Sequence, residues 1–409
     1  MIKLLHIADI HIGMENYGRI DPATGSSTRL KDFLDTLDEA VDRAIAEPVD
    51  AVVVAGDIYK SRDPSPTHQR EFARRVLKLS RAGIQVVIVA GNHDIPLAEG
   101  RATSVDIFSV LDLPNVTVTR RLDTHRVETR GGPLQIVALP WLTRGVFLKR
   151  EDYRNISIEE LLHKMGEMAD ARLTDLCSQL DPSVPAVLVG HAHVHGARVG
   201  AERMLTLGSD PVFNLTMLDR PNIDYVALGH IHKHQPLHTG STPVVYSGSI
   251  NRVDFSEERE DKGFVLVEVQ RGSANWEFVP VKARPFITIR AEPETDNPTG
   301  EVLKAIEKRA TDVPESVIRL QLVGPRSRLQ TVDEREVRRA LAEAEFVVPF
   351  QREYTDTARV PLLGNTVEGR TPLQLLETFL ERKGELPADR RAALLAKANE
   401  LMTRDPAEA

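Results

Sequence analysis

The chain has a single cysteine, Cys177, among 409 residues. Intrachain disulfides are therefore excluded, and a metal site built on thiolates is not expected. No apolar run approaches the roughly 18 residues that a membrane-spanning helix needs. Residues Met1-Ile2-Lys3-Leu4-Leu5-His6 enter a strand-like run at once, without the apolar stretch and small-residue cleavage site of a signal peptide. A cytoplasmic protein without membrane contact is expected. Positive charge is also in deficit, with Lys+Arg 52 against Asp+Glu 60 and a net charge of −8. That balance argues against a protein that coats nucleic acid non-specifically. It does not exclude an enzyme acting on nucleic acid, because bound divalent cations invert the local electrostatics. Internal repeats and low-complexity tracts are absent too. What remains is an ordinary hydrophobic fraction of 41% in a chain long enough for two or three domains.

Against this plain background stand five polar clusters: Asp9-Ile10-His11, Gly56-Asp57, Gly91-Asn92-His93-Asp94, Gly190-His191 and Gly229-His230-Ile231-His232. Each follows an apolar run: Leu4 to Ala8, Ala51 to Ala55, Val86 to Ala90, Ala186 to Val189 and Tyr225 to Leu228. Such runs, bounded by turn residues, read as buried strands. A single His or Asp after a strand is ordinarily a cap or a turn residue. Five such clusters are a different matter, since carboxyl ends of strands in an α/β sheet line one crevice, where ligands remote in sequence converge. The mixture of imidazole, carboxylate and amide suits divalent first-row metals.

Residues 1 to about 280 alternate strand-like and helix-like segments. Leu30, Leu34, Leu37, Val41 and Ile45 give an amphipathic helix from Thr28 to Ala46. Further helices are expected at 66–81 and 101–111. Short strands at Val244 to Tyr246, Gly263 to Val269 and Trp276 to Val279 imply a second sheet. The expected fold is α/β, a four-layer sandwich of two mixed β-sheets flanked by helices. A small α+β domain is expected over 281–350, with strands at Phe286 to Ala291 and Val317 to Val323 and helices at Gly300 to Arg309 and Asp333 to Ala344. Residues 351–370 read as a linker. In Thr371-Pro372-Leu373-Gln374, an N-cap Thr, Pro at the first helical position and Gln three residues after the cap start a helix. A second helix is expected after Pro387, giving a terminal helix pair over 371–405 that either docks on its parent domain or binds a partner.

The clusters support definite chemistry. Asp9 and His11, two apart on an extended strand end, project the same way and can hold one ion together. Asp57 has two carboxylate oxygens and can bridge two cations, as in hydrolytic two-metal sites. Asn92 adds a neutral oxygen ligand, and His191, His230 and His232 complete the donor set. Arg70, Arg74, Arg75, Lys78 and Arg81 are candidates for phosphate contact, although that spacing on a helix is more often a solvated face.

The order D-x-H, G-D, G-N-H-D, G-H and G-H-x-H resembles the calcineurin-like metallophosphoesterase superfamily, all of whose ligand motifs are present in sequence. The longer stretches Ile7 to Gly13, Val54 to Tyr59, Val89 to Asp94 and Tyr225 to Lys233 are similar to its DNA-repair nuclease branch, whose members work with an SbcC-like ATPase. The resemblance implies a metal-dependent nuclease: a 3′–5′ double-strand exonuclease and single-strand endonuclease in DNA repair and recombination. It assigns one ion to Asp9, His11, Asp57 and His232, and a second to Asp57, Asn92, His191 and His230. Both ions would most naturally be Mn²⁺. His93 resembles the histidine that protonates the leaving group, with Asp94 orienting it. The small domain would cap DNA and the terminal helices would bind the ATPase, in a heterotetramer with two copies of each subunit.

One departure stands out, because relatives from archaea and eukaryotes carry another histidine soon after G-D, where this chain has Tyr59-Lys60. Lys60 is then a candidate phosphate contact. His193, His195, His234 and His238 have no equivalents in the motifs and receive no role. The resemblance also implies a homodimer through the helices near 66–81 and 101–111, with Phe72, Val76, Leu79, Ile107, Phe108 and Leu111 either at the interface or in the monomer core. Competing readings are a phosphatase or phosphodiesterase acting on small phosphoesters, and a scaffold that tethers an ATPase to DNA. The extra length beyond residue 280 speaks against the first of these and the intact motifs against the second.

Overall fold

Val52 and Val54 pack into one hydrophobic cluster while Ala51, Val53 and Ala55 of the same strand pack into another. An uninterrupted apolar run of this kind belongs to a strand covered on both faces. The computed structural model describes residues 1–96, 101–145, 156–200, 210–237, 240, 242–356, 371–383 and 387–403. In chain order the elements around this run are β1 (Ile2–Ile7), α1 (Thr28–Ala46), β2 (Ala51–Ala55), α2 (Pro66–Arg81), β3 (Gln85–Val89), α3 (Asp106–Val110) and β4 (Val116–Thr119). They continue with β5 (Asp123–Thr129), β6 (Gly132–Leu139), α4 (Ile158–Ser178), β7 (Ala186–His191), β8 (His193–Val194), β9 (Val212–Phe213) and β10 (Tyr225–Gly229). Three further strands matter here: β11 (Gln235–Leu237), β12 (Val244–Tyr246) and β13 (Gly263–Gln270), with β14 (Ser273–Pro280) closing the series.

Two six-stranded sheets result, in the orders β14-β13-β1-β2-β3-β4 and β11-β12-β10-β7-β6-β5. Both are mixed: β1, β2, β3 and β4 run parallel while β13 is antiparallel to β1, and β7, β10 and β12 run parallel while β11 is antiparallel to β12. Ile2, Leu4, Val53 and Val87 of the first sheet share a core with Ile136, Val187, Val189 and Ala227 of the second, so the sheets pack face to face. Phe33, Leu37 and Val41 of α1 and Phe72 and Val76 of α2 cover the outer face of the first sheet. Leu173, Leu176 and Cys177 of α4 cover that of the second. This is the expected four-layer sandwich, but of the three late strands read as a second sheet only β12 joins it; β13 pairs with β1 and, with β14, completes the first sheet, a pairing of distant strands that local pattern does not encode.

Local signals explain the helices. Ser27 caps α1 by accepting from Arg29 N, and Ser65 caps α2 by accepting from His68 N with Pro66 in the first turn. The helix expected over 101–111 is shorter, Asp106–Val110, and residues 97–100 lie outside the described set. Of the six candidate interface residues, Phe72, Val76, Leu79 and Phe108 are buried in the core of this chain. Ile107 and Leu111 are 47% and 58% exposed, and Val110 between them is 81% exposed. An amphipathic helix lying on a sheet spends its larger apolar side chains on its own core, which the helical period alone does not distinguish from an interface. The basic stretch on α2 is largely neutralised: Arg70 and Arg74 pair with Glu71 at 2.8 and 3.0 Å, Arg75 with Asp38 at 2.5 Å, and Lys78 with Asp42.

The chain divides into two compact units, one of residues 1–289, 309–320 and 341–349 and one of 290–308, 321–340 and 350–409. In the first unit, Val317 and Ile318 pair in parallel with Phe346 and Val347. Tyr17, Phe255, Phe286 and Phe346 form an aromatic cluster there, and Arg284 binds Asp32 through two 2.6 Å contacts. In the second unit, helices Pro298–Glu307 and Glu334–Ala340 pack together, and Gln321 to Gly324 pair with Gln351 to Tyr354. Residues 351–354, expected to be linker, are therefore a strand; a four-residue run as polar as Gln-Arg-Glu-Tyr carries no apolar period to announce it. Most of the remaining linker lies outside the described residues. The terminal helices are Pro372–Lys383 and Ala388–Thr403, and the first carries the reciprocal cap: Thr371 N donates to Gln374 Oε1 at 2.9 Å and Gln374 N to Thr371 Oγ1 at 3.3 Å.

Candidate metal centre

Asp9, Asp57 and Asn92 follow the adjacent parallel strands β1, β2 and β3, while His191 ends β7 and His230 follows β10, its neighbour in the second sheet. Because the sheets pack face to face, all five clusters meet at one edge of the sandwich. Asp9, His11 and His232 offer ligand atoms within 4.8 Å of one another, and so do Asp9, Asp57 and His191. Asn92 Oδ1 lies 3.0 Å from His191 Nε2 and 3.3 Å from His230 Nδ1. All seven residues named as ligands from the sequence are thus brought together. Asp9 belongs to both carboxylate–histidine groups, a feature the spacing did not disclose.

The backbone is forced to deliver these side chains. Asp9, His11 and Asp57 have φ of 49°, 49° and 52°, and His230 has 98°. Left-handed conformations at residues other than glycine cost about 1–3 kcal/mol each and persist only where the surroundings over-determine them. Here Asp9 N donates to Gly56 O and His11 N to Asp57 O, both at 3.1 Å, while His230 N donates to both Asp9 carboxylate oxygens at 3.0 Å. Gly229 lets the two sheets approach at this edge: a Cβ there would stand 2.0 Å from Ala55 O.

Electrostatics set the site apart. Burial raises Asp9 to about 7, against the opposing pull of His191 and His232. Burial would raise Asp57 too, but the charges of His191, His93 and His11 hold it well below the carboxylate range. Burial works against the His191 cation, yet Asp57, 3.4 Å from its Nε2, lifts it to about 9. His11 and His230 are pushed well below the usual imidazole value, chiefly by burial.

The donor set fits divalent ions. His11 Nε2 and His232 Nε2 stand 2.9 Å apart, and the buried His11 Nδ1 and His230 Nε2 have no hydrogen-bond partner. Buried polar atoms without partners are rare, and each calls for a water, an ion or local strain to account for it. His191 Nδ1 donates to Ala55 O at 2.8 Å, which fixes its tautomer and leaves Nε2 for a ligand.

His93 lies beside this set, partly exposed. Its Nε2 is 3.9 Å from Asp57 Oδ2, and its Nδ1 donates to Lys60 O at 2.8 Å. Burial lowers its pKa. Asp94 does not orient that ring. It is fully buried, and it accepts from Gly91 N at 2.9 Å, Ile58 N at 3.1 Å and Tyr59 N at 3.4 Å, tying the third cluster to the second. Position in the motif could not reveal this, since a residue adjacent in sequence points elsewhere once the turn closes. The orienting atom is the carbonyl of Lys60, whose side chain is exposed.

Among the unassigned histidines, the His193 ring centroid is 6.1 Å from that of His230. His234 stacks on Phe278 at 4.1 Å and bonds to Tyr246 O, a packing role, and His195 is exposed. His238 lies outside the described residues. Three neighbours of the site carried no motif: Trp141, whose ring lies 4.9 Å from that of His230, and the buried pair Glu257 and Lys262 behind His232. Trp141 lies just past β6, as His191 ends β7 and His230 follows β10, and that strand-end position was the available signal.

A face-to-face pair of mixed sheets presenting a carboxylate, amide and histidine cluster at its strand ends defines a phosphoesterase that uses divalent metal. The chain belongs to the calcineurin-like phosphoesterase family, whose model matches residues 2–234. It is 29% identical over 327 residues to SbcD, a component of the nuclease SbcCD, from Rhodobacter capsulatus, covering 76% of each chain. The SbcD of Escherichia coli strain K12 is 28% identical over 279 residues, 66% of each. The DNA double-strand break repair protein Mre11 of Archaeoglobus fulgidus is 26% identical over 326 residues, 76% of this chain and 65% of that protein's length. No helix among the described residues is long and apolar enough to cross a membrane.

Proposed function

We propose that the protein is a metal-dependent DNA nuclease that hydrolyses phosphodiesters with two divalent ions, most naturally Mn²⁺, in the manner of its SbcD and Mre11 relatives. The single observation carrying this reading is the meeting of seven ligand-type side chains from five strand ends, with His93 beside them and partly exposed. Asp9, His11, Asp57 and His232 would hold one ion, and Asp57, Asn92, His191 and His230 the other. Asp57 is given the shared position because its carboxylate has two oxygens, one of them 3.4 Å from His191 Nε2. Bound divalent ions supply an activated water and neutralise charge that builds on the non-bridging phosphate oxygens.

The chain's own residues do the rest. Hydrolysis would join the water oxygen to phosphorus and break the P–O3′ bond; the departing 3′ oxygen takes a proton from His93 Nε2, and the proton given up by the water goes to solvent. Lys60 O, bonded to Nδ1, holds that ring with Nε2 facing the site. Burial disfavours the imidazolium, and the negative charge of a phosphodiester beside the ring restores it. Asp94 keeps the Gly91 and Ile58 turns in register, so that Asn92 and Asp57 stay in place.

An SbcC-like ATPase is the proposed partner of the terminal helices, and a homodimer is proposed through the exposed Ile107, Val110 and Leu111. The test is incubation of labelled single- and double-stranded DNA with Mn²⁺, alongside Asp57→Asn and His93→Ala. The expected result is cleavage by the wild type, loss of both metal binding and cleavage in Asp57→Asn, and retained metal with about 10²–10⁴-fold slower cleavage in His93→Ala. A wild type that leaves DNA intact while cleaving small diesters refutes the nuclease reading.

A further inference from the structure

The four ligand-type histidines are braced in different ways. His191 leans on the neutral carbonyl of Ala55, His230 Nδ1 is 3.3 Å from Asn92 inside the site, and His11 Nδ1 has no partner. His232 Nδ1 instead meets a carboxylate from outside the cluster, Glu257 Oε1, at 2.8 Å. Glu257 ends the short 3₁₀ turn Phe255–Glu257, which Asp254 caps by accepting from Ser256 N at 2.7 Å. Its second oxygen accepts from Val253 N at 3.0 Å and ion-pairs with Lys262 Nζ at 2.8 Å. Both side chains of that pair are buried, 1% and 0% exposed. Lys262 Nζ also donates to the backbone oxygen of His232 at 3.1 Å, and Ser249 N donates to the same oxygen at 2.9 Å. Ring and peptide of His232 are therefore clamped by one ion pair.

We propose that Glu257, secured by Lys262, is a positioning residue that holds His232 as a metal ligand. An ionised carboxylate only accepts, so the contact places the His232 proton on Nδ1 and leaves the Nε2 lone pair facing Asp9 and His11. A negative partner also makes the imidazole a stronger donor than a neutral carbonyl does. Lys262 Nζ also meets Glu260 Oε2 at 3.0 Å, so the cation is held from two sides; a buried ion pair contributes little to stability in itself, whereas removal of one partner leaves a charge less compensated. The inference rests on the two-ion reading of the site, and it predicts an asymmetry in which the ion at Asp9, His11 and His232 depends on Glu257 and the ion at Asn92, His191 and His230 does not.

The experiment is a Mn²⁺ titration of the ion-free full chain by calorimetry, with free Mn²⁺ counted by electron paramagnetic resonance. Wild type, Glu257→Gln and the double variant Glu257→Gln/Lys262→Met are compared. The double variant removes both buried charges and guards against misfolding from the loss of one of the two carboxylates at Lys262; thermal unfolding in chelator reports the fold of each. The expected result is two ions in the wild type, and in both variants one ion at unchanged affinity and one weakened about 10–100-fold. Wild-type affinity for both ions in folded variants overturns the positioning role, and so does equal weakening of both. A wild type that binds no Mn²⁺ overturns the two-ion reading itself, which separates the two failures.

Discussion

Gly56 touches neither metal nor substrate in the proposed mechanism, yet its replacement by alanine is expected to disable the centre. Its φ is +86°, and a Cβ would stand 2.2 Å from His191 Nδ1, 2.6 Å from His191 Cγ and 2.9 Å from the Gly91 Cα. Neither neighbour is the loose end of a flexible chain. The His191 ring is fixed by its 2.8 Å bond to Ala55 O, and Gly91 is backbone at the start of the Asn92 turn. Three costs add: about 1–2 kcal/mol for an L-residue in the left-handed region, about 1–3 kcal/mol for forcing a methyl into packed surroundings, and about 1 kcal/mol for the His191 bond that must yield. The sum, about 3–6 kcal/mol, is a large share of the roughly 5–15 kcal/mol that holds a domain together. Gly25 is the matched control, with φ +68° and nothing within 4 Å of a Cβ, so Gly25→Ala should cost only about 1–2 kcal/mol. Urea unfolding in chelator measures both costs, and a Mn²⁺ titration measures the loss of His191 as a ligand. Equal midpoints for the two variants, or unchanged Mn²⁺ affinity in Gly56→Ala, refute the reasoning.

Two further outcomes follow from the same structure. His6 lies between the sheets, bonded to Tyr225 Oη at 3.1 Å and Leu228 O at 3.2 Å, and burial lowers its pKa from 6.5 to about 3. The unfolded chain then takes up a proton near pH 6.5 that the folded chain refuses, so this stability is whole above pH 6.5 and drains away as pH falls toward 3. At about 1.4 kcal/mol per pH unit, the wild type should lose about 2 kcal/mol between pH 6.5 and 5; identical pH slopes for wild type and His6→Leu in urea unfolding would contradict this. Val110, the most exposed of the α3 apolar residues, should be a contact in the proposed homodimer, so Val110→Glu should convert a dimer to a monomer in light scattering without changing the melting temperature. A wild type that is monomeric at micromolar concentration removes that interface.

Much of this was legible in the order of residues because the relevant physics is local. The strand-then-ligand pattern depends on runs such as Ala51 to Ala55 and on the turn residues after them, and α1 spans Thr28–Ala46 as its apolar spacing and Ser27 cap require. Capping residues Ser65 and Thr371 act within four residues of themselves, so their helices begin where the sequence says. Other features were invisible for the complementary reason. The direction of Asp94, the bracing of His93 by Lys60 O and the exposure of Ile107 beside the buried Phe108 depend on how turns close and helices rotate against the sheet.

By itself the sequence determined which side chains are available for a metal centre and that they occupy strand ends. Tertiary structure decided which strands become neighbours. Only with β1, β2 and β3 parallel in one sheet, and β7 beside β10 in the other, does Asp9 reach His230 across 221 positions of chain and Asp57 reach His191. It also decided that Glu257 and Lys262, two charged residues without a motif, lie buried behind His232. Hydrophobic period and capping are encoded over a few residues, whereas the pairing of charges across a closed sandwich comes into being only when distant strands have packed.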